Sequence, residues 1–276
     1  MSRVLRAGVY VDVANLALNG GFGMRFDVLR QFATRGGAEP VRLNAYVSFD
    51  PERADKDTDY RLKQHRFHEA LRDIGFKVIQ KHTKWYTDDS GNRIGKANVD
   101  LDLAVDALLQ SENLDRVLLA TGDGDFVQVV RALQNRGARV EVLGFENVSG
   151  DLRREADLYV SGFLIPNLLP IQRGDSGEQW GEVDGYARGV CYSHDPSRGF
   201  GWVRYLTRID DELWRTDTRD PKSPYSTIFL HDSELGTGVD PAQLTHRKLI
   251  LEFKIAMSSD TGKTKAVDVR SIQAPS

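Results

Sequence analysis

The sequence predicts an α/β domain built on a parallel sheet, followed by a small antiparallel barrel. Up to about residue 165, apolar strand-like runs alternate with helix-like runs, the pattern of a parallel sheet covered on both faces. Beyond it, short alternating segments are separated by glycines and charged turns, without helices, as in small barrels. We therefore predict an α/β domain at residues 1–165, a linker at 166–184 and a barrel at 185–276.

The elements of the first domain follow from its apolar periodicity. Strands are predicted at 4–13, 41–49, 76–82, 116–121 and 139–145, and helices at 27–34, 57–74, 99–110, 126–136 and 151–160. The helix at 99–110 is expected to carry its apolar side on Leu101, Ala104, Val105, Leu108 and Leu109. Two prolines and a Gly/Asp/Ser stretch mark the linker, and barrel strands are expected within 185–206, 226–235 and 249–272.

Composition narrows the class of protein. A hydrophobic content of 40% is enough for real cores, and a net charge of -3 argues against tight non-specific binding to DNA, although local patches can still bind phosphate. The single cysteine, Cys191, excludes an intrachain disulfide and a cysteine-based zinc site. The N-terminal apolar run is broken by Asp12 and no run is long enough to cross a bilayer, so we expect a cytoplasmic protein that does not enter membranes.

Three aspartates follow predicted strands. Asp12 ends the first strand, and Asp123 and Asp125 lie in the turn TGDGDF after the strand at 116–121. Ligands of open α/β sheets bind at the carboxyl ends of the strands, where these residues would meet. The turn also has a simpler interpretation, as a tight turn that caps the helix at 126–136.

Three more aspartates lie on the helix at 99–110. Asp100 is close to its N-terminus, where the helix dipole favours negative charge, and Asp102 and Asp106 share one face. Carboxylates brought together repel each other unless a cation joins them. Mg²⁺ prefers such oxygen ligands and can activate water beside a phosphate, so the set predicts phosphodiester hydrolysis. Asp106 has a simpler interpretation as a solvated helix residue.

Four motifs in this order resemble the NYN domains of the PIN-like nuclease superfamily. They are YVDVANL at 10–16, KANVDLDLAVDAL at 96–108, TGDGDFVQVVRALQNRGARVEVLGF at 121–145 and LRREADLYV at 152–160. The resemblance implies a PIN-like fold and Mg²⁺- or Mn²⁺-dependent cleavage of RNA. The sequence does not fix the oligomeric state, although this nuclease class often forms homodimers.

By the same resemblance, the catalytic and metal-holding acids would be Asp12, Asp100, Asp123 and Asp125. Asn15 would orient the first carboxylate or contact substrate, and Asp102 and Asp106 would support the site. Thr121 stands where the family often has Ser, which keeps the hydroxyl, whereas Val13 replaces a frequent Gly. Lys96 would meet a phosphate, unless it is an ordinary surface lysine.

Basic and aromatic residues also neighbour each other after the strand at 76–82. Lys84 and Trp85 suit a path for single-stranded RNA, whose bases stack and whose phosphates meet cations. The alternative is a solvated hairpin tip.

The segment from about 185 to 272 resembles a cold-shock domain, an OB-like barrel that binds single-stranded nucleic acid. Its first motif is RGFGWV at 198–203 and its second is IFLH at 228–231. The resemblance implies a stacking platform of Phe200, Trp202, Phe229 and His231, with Arg198 near phosphate. A barrel whose aromatic residues are partly core, and which contacts proteins, is the alternative.

Three departures from the cold-shock pattern accompany these motifs. Ser193 and His194 replace a Trp-Phe pair, with Tyr192 one place earlier. Asp232 replaces the Phe that follows the second-motif His, and an insertion at about 207–225 separates the motifs. These departures predict a reduced platform.

Two other functional classes compete with a metal-dependent endoribonuclease. The first is a non-catalytic RNA-binding regulator that keeps the nuclease fold. The second is a phosphatase of the haloacid dehalogenase type, which needs a second Asp two residues after the first. Val13 and Ala14 follow Asp12, so the phosphatase is disfavoured.

Overall fold

The computed structural model describes residues 3–87, 93–171, 179–258 and 262–272, without the side chains of 84 and 93–96. The chain divides into two compact units, Met1–Ser161 and Gly162–Ser276. The more detailed boundaries at 165 and 185 stay predictions.

The first unit alternates strands and helices, as predicted. Its strands are β1 (Arg6–Asp12), β2 (Glu39–Phe49), β3 (Lys77–His82), β4 (Lys84–Thr87), β5 (Arg93–Lys96), β6 (Arg116–Ala120), β7 (Arg139–Gly144) and β8 (Leu158–Ser161). Its helices are α1 (Val13–Leu16), α2 (Phe26–Ala33), α3 (Pro51–Lys56), α4 (Thr58–Asp73), α5 (Val99–Gln110), α6 (Val127–Asn135) and α7 (Gly150–Glu155).

Six strands form one parallel sheet in the order β3-β2-β1-β6-β7-β8. This confirms the predicted PIN-like parallel sheet flanked by helices. From β1 the chain first builds the sheet outward through β2 and β3, and then returns to place β6 on the other side of β1. The carboxyl ends of β1 and β6 therefore flank the point where the strand order reverses, which is where α/β sheets bind ligands.

Helices cover both faces of the central strands. One core cluster joins Tyr10 and Tyr46 of the sheet to α5 and α6, through residues such as Leu103 and Leu133. The buried residues of α2 lie outside that cluster, and α2 contacts β1 and β2 from the other face. Because β1 is buried on both sides, its sequence is continuously apolar up to Asp12.

The predicted apolar side of α5 was wrong in part, since Ala104 and Leu108 pack against the core as expected and the other three residues do not. Leu101, Val105 and Leu109 are exposed, whereas the buried residues of the helix are Val99, Leu103 and Ala107. The two sets are displaced by two positions, about 200° around a helix, and therefore lie on opposite faces. Leucine and valine occur on both faces, so apolar spacing alone selects neither of them.

The predicted helix at 151–160 was half wrong. Helix α7 ends at Glu155, and Leu158–Ser161 is the edge strand β8, parallel to β7. The carboxylate of Asp157 accepts a hydrogen bond from the amide of Val140 on β7 (2.7 Å). This contact places the chain beside β7, whose backbone groups on that side would otherwise lack partners.

The second unit contains the predicted barrel. Its strands are β9 (Tyr186–Asp195), β10 (Phe200–Leu206), β11 (Tyr225–His231), β12 (Leu251–Met257) and β13 (Thr264–Ser271). They close in the order β10-β11-β13-β12-β9, with β11 and β13 parallel and the other neighbours antiparallel. Phe253, Leu251 and Val203 lie in its core. Throughout the described residues, every helix is too short or too polar to cross a membrane.

Candidate functional site

Asp12 stands at the carboxyl end of β1, beside the reversal of strand order. It is 8% exposed, and its Cα partner on β2 is Tyr46, a member of the core under α5. Paired residues of neighbouring strands share a face, so Asp12 also faces the α5 side. Its carboxylate caps α1 by accepting the amide hydrogen of Asn15 (3.0 Å).

Asn15 joins the two loops that flank this reversal. Its backbone N–H donates a hydrogen bond to the Asp12 carboxylate. Its side-chain Oδ1 accepts a hydrogen bond from the backbone N–H of Gly122, two residues after the end of β6 (2.8 Å). The sequence predicted that Asn15 orients the first carboxylate or contacts substrate. In the structure it fixes the Asp12 loop to the loop that carries Asp123.

The turn TGDGDF is organised by hydroxyl and carboxylate acceptors. The buried Thr121 hydroxyl accepts the amide hydrogen of Asp123 (3.3 Å). Serine, which the family often has at this position, carries the same hydroxyl group. Asp123 Oδ1 in turn accepts the amide hydrogen of Asp125 (3.0 Å) and caps the short helical turn Gly124–Phe126 before α6. The capping interpretation of this turn is thus correct for Asp123, which leaves its other oxygen available to a ligand.

The charges of three predicted acids meet at Asp12. Burial raises the pKa of Asp12, the amide of Asn15 lowers it, and the negative charges of Asp123 and Asp100 raise it further, to a net increase. Residues 12, 100 and 123 are far apart in the chain, so the fold brings them together. Asp125 is exposed, and Asp123 and Asp100 are the acids with the largest effect on Asp12.

Asp102 and Asp106 have partners away from this group. Both carboxylate oxygens of Asp102 accept hydrogen bonds from Lys81 Nζ at the end of β3 (2.8 and 2.6 Å). Asp106 accepts the hydroxyl hydrogen of Tyr46 (2.8 Å), so it is not simply solvated. Burial and the Asp106 contact raise the pKa of that hydroxyl. Both aspartates therefore fasten α5, which carries Asp100, to the sheet.

The carboxylates of Asp12, Asp100 and Asp123 are ligands of the type that a hard divalent cation with water ligands prefers. These side chains supply only carboxylate oxygen, and their mutual repulsion is what a bound cation would relieve. Across the described ranges, no group of three or more His, Cys, Asp or Glu side chains is placed so that it could hold a metal ion. Mg²⁺ is commonly held by one or two carboxylates and several waters, so a full cage is not required.

A two-stranded hairpin connects β3 to α5. Its strands β4 and β5 pair antiparallel, with Lys84 opposite Lys96 and Trp85 opposite Gly95. The Trp85 side chain is exposed. The side chains of Lys84 and Lys96 lie outside what the structure describes, so their phosphate contacts stay predictions.

The four platform residues lie on one face of the barrel. Phe200 is paired with His231, and Trp202 with Phe229, across β10 and β11. The Phe229 ring centroid lies 5.7 Å from that of Phe200 and 5.6 Å from that of Trp202. Their neighbours Gly201, Ile228 and Leu230 point into the barrel, so the alternation places these rings outward.

Arg204 continues this face and was missed by sequence reasoning. It lies two residues after Trp202, and its guanidinium group lies 5.7 Å from the Tyr192 ring and 5.6 Å from the Tyr225 ring. The period-two spacing from Phe200 and Trp202 would have identified it. Arg204 gives the aromatic face a cation that could meet a phosphate.

Two of the residues that depart from the cold-shock pattern, His194 and Asp232, contact each other. The His194 side chain is buried, and its Nε2 lies 2.8 Å from Asp232 Oδ1. The two polar replacements are therefore hydrogen-bonded partners beside the platform. A β-bulge opposite Trp202 and Val203 leaves Tyr192 as the extra residue, exposed next to Ser193.

The polar residues at the platform edge differ in how firmly they are held. His231 Nδ1 accepts the amide hydrogen of Ser233 (3.2 Å), which fixes the orientation of the ring. Arg198 is exposed, and its Nε lies 3.8 Å from Asp195 Oδ2. It is therefore loosely paired and accessible to a phosphate.

Comparison with known proteins covers mainly the first unit. The NYN domain family matches residues 6–166. Over 166 residues the chain is 29% identical to the Low amplitude and bright protein LabA of Synechococcus elongatus, covering 57% of this chain and 84% of LabA. A crystal structure of a protein of unknown function from Vibrio parahaemolyticus is 29% identical, with a TM-score of 0.46, and covers 58% of this chain and 96% of that one. The family match ends before β9, so the cold-shock-like character of the barrel stays a prediction.

Proposed function

The chain belongs to the NYN domain family, and on that premise we propose that it is a metal-dependent endoribonuclease whose C-terminal barrel binds single-stranded RNA. One observation carries the proposal. Asp12 is buried where the strand order reverses, and the charges of Asp100 and Asp123 act on it there. No ion pair with lysine or arginine neutralises Asp12 in the described part of the chain. A divalent cation and an RNA phosphate would complete such a site.

Each side chain has a distinct role in this proposal. Asp12 and Asp123 would hold Mg²⁺ or Mn²⁺ directly and Asp100 would hold it through a water ligand. When bound, the ion would activate a water molecule and offset the charge of the scissile phosphate. Asn15 and Thr121 position the first two carboxylates through the loop contacts described above. Asp125, exposed at the same turn, would contact a water ligand or the substrate.

The barrel would recruit RNA through stacking. Partly exposed aromatic rings on adjacent strands suit unpaired bases, and each stacked base contributes about 1–3 kcal/mol. The Phe200–Trp202–Phe229–His231 face supports this role, with Arg204 and Arg198 near phosphates. The hairpin residues Lys84 and Trp85 would guide the strand near the acidic site.

The test is cleavage of single-stranded RNA by the full chain with Mg²⁺ or Mn²⁺. We expect Asp12→Asn and Asp123→Asn each to lower the rate by on the order of 10²-fold or more, because each removes charge from the site. Asp151→Asn is a matched control on the exposed first turn of α7 and should cleave at the wild-type rate. Equal cleavage by all four proteins would contradict the proposal. RNA binding that survives both substitutions, with no cleavage by the wild type, would support the non-catalytic regulator instead.

We also propose that the chain forms a homodimer. Leu101, Val105 and Leu109 form an exposed apolar stripe along α5, of a kind that often marks an interface. Replacing Leu101 and Leu109 by Gln should convert a dimer to a monomer in sedimentation velocity. A wild-type chain that stays monomeric at every concentration would contradict this proposal.

A further inference from the structure

A cavity of about 570 Å³ opens beside the candidate acidic site, within the first unit. Its wall includes Val13 and Ala14, the two residues that follow Asp12, and Val47 and Ser48 at the carboxyl end of β2. Helix α4 closes it with Lys63, Gln64 and Phe67, and the remaining lining comes from residues 16–26. The cavity therefore borders the residues that directly follow the buried carboxylate, on the α2 side of the sheet.

The loop between α1 and α2 is shaped so that it presents an aromatic ring. Gly21 has no room for a Cβ, which would lie 2.5 Å from the Phe145 ring, and Gly23 has a φ of +82° that disfavours other residues. Between them Phe22 lines the cavity with 84% of its surface exposed. A large aromatic side chain on a fixed and solvent-exposed loop suits ligand contact better than core packing.

The lining chemistry matches a planar ring with polar edges. Phe22 and Phe67 supply aromatic surface, and Phe67 is itself held edge-on by Phe26, with centroids 5.7 Å apart. Ser48 and Gln64 each carry a hydrogen-bond donor and an acceptor, and Lys63 adds a positive charge. Among the described lining residues none is acidic, so an anionic polymer can approach.

We infer that this cavity binds a nucleobase of the RNA substrate, next to the phosphate that the Asp12 site would cleave. The inference rests on the proposed function for its substrate. An unstacked base would lie against Phe22 and Phe67, because single-stranded RNA is recognised by stacking bases on aromatic side chains. Its ring edge would meet Gln64 and Ser48. The cavity would then determine which nucleotide flanks the cut.

The methionines of the chain offer a direct readout. The sequence contains Met1, Met24 and Met257, of which Met24 lines the cavity and Met257 lies on β12 of the barrel. In the full chain with ¹³C-labelled methionine methyl groups, each of the four nucleoside 5′-monophosphates is titrated. We expect at least one to shift the Met24 methyl signal. Ribose 5-phosphate, which lacks the base, should not shift it.

Substitutions separate stacking from general effects. Phe22→Ala should weaken the binding that Met24 reports by about tenfold, the loss expected for one stacked base, and Phe22→Tyr should restore it. Leu18→Ala is the matched control, since Leu18 is 85% exposed on the preceding turn and does not line the cavity. Its affinity should stay within about twofold of wild type.

The outcomes also distinguish this inference from the proposed function. If the wild type cleaves RNA but no nucleotide moves the Met24 signal, the base site is wrong and the nuclease stands. If Met24 responds to nucleotides but no RNA is cleaved, the base site stands and the nuclease is wrong. An equal response to ribose 5-phosphate, or equal binding by Phe22→Ala and wild type, would overturn the base site.

Discussion

Two carboxylates of the same sheet, Glu141 and Asp12, are buried, but the charges around them have opposite signs. Glu141 on β7 is 1% exposed; it accepts hydrogen bonds from Arg35 (2.7 Å) and Arg139 (3.0 Å), and Arg116 lies 3.6 Å away. Burial alone would raise its pKa, but these arginines lower it below the ordinary value. Asp12 is buried beside two other carboxylates, and its pKa is raised.

The difference separates a structural carboxylate from a candidate functional one. The protein itself supplies the cations that Glu141 needs, so its charge is completed by folding. For Asp12 the protein supplies backbone amides and additional negative charge, a repulsion that a bound cation would relieve. Perturbed groups of this kind cluster at functional sites.

The largest expected effect on stability comes from Glu141, the carboxylate whose charge the arginines already balance. Glu141→Gln would remove the buried negative charge that Arg35, Arg116 and Arg139 share, and should lower the free energy of unfolding by about 3–5 kcal/mol in urea denaturation. The exposed ion-paired residue Glu69 offers a control, since Glu69→Gln should cost less than about 1 kcal/mol. A Glu141→Gln protein as stable as wild type would contradict the claim that the ion-paired charge of Glu141 stabilises the fold.

A second prediction separates metal binding from RNA binding. Trp202→Ala should weaken single-stranded RNA binding by about 1–3 kcal/mol, roughly 5- to 150-fold, because it removes a stacking surface. Trp214, which is 70% exposed between β10 and β11, provides a control tryptophan that is not one of the four platform residues. The measurement is fluorescence anisotropy with labelled RNA. Loss of affinity in Trp214→Ala but not in Trp202→Ala would contradict the platform assignment, and neither variant should alter thermal stabilisation by Mn²⁺.

Sequence reasoning could predict the candidate acidic site because the prediction depends only on chain order. Asp12 and Asp123 directly follow apolar strands, and the carboxyl ends of parallel strands share an edge. The same reasoning could not reveal the partners of Glu141, because Arg35 is 106 residues away and only the completed fold brings them together. Contacts between distant residues carry no local periodicity.

The errors have the same origin. The buried face of α5 depends on which strands lie beneath it, and the end of the 151–160 segment depends on the edge that β7 offers. His194 and Asp232 were each identified as departures from a motif, but their hydrogen bond depends on the pairing of β9, β10 and β11. In each case the outcome depends on tertiary contacts, and the local sequence pattern is compatible with either alternative.

The smallest predicted effect arises from the charge of Asp12 itself. Asn caps helices about as well as Asp, so Asp12→Asn removes charge and keeps the cap. Without metal it should stabilise the protein by about 1 kcal/mol at neutral pH, roughly 2–4 °C in Tm. Because folding raises the pKa of Asp12, its ionisation costs stability above that pKa, and the advantage of the variant should fade as the pH falls through it.

The most direct test of the central claim is the Tm of wild type and Asp12→Asn with and without Mn²⁺ at neutral pH. Binding to the folded state alone should stabilise wild type by about 2.7 kcal/mol at a hundred times Kd. We predict that Asp12→Asn melts higher than wild type without metal and gains little from Mn²⁺, so that the order of stability reverses. If Mn²⁺ raised both midpoints equally, or raised neither, Asp12 would not be part of a cation site and the account would be contradicted.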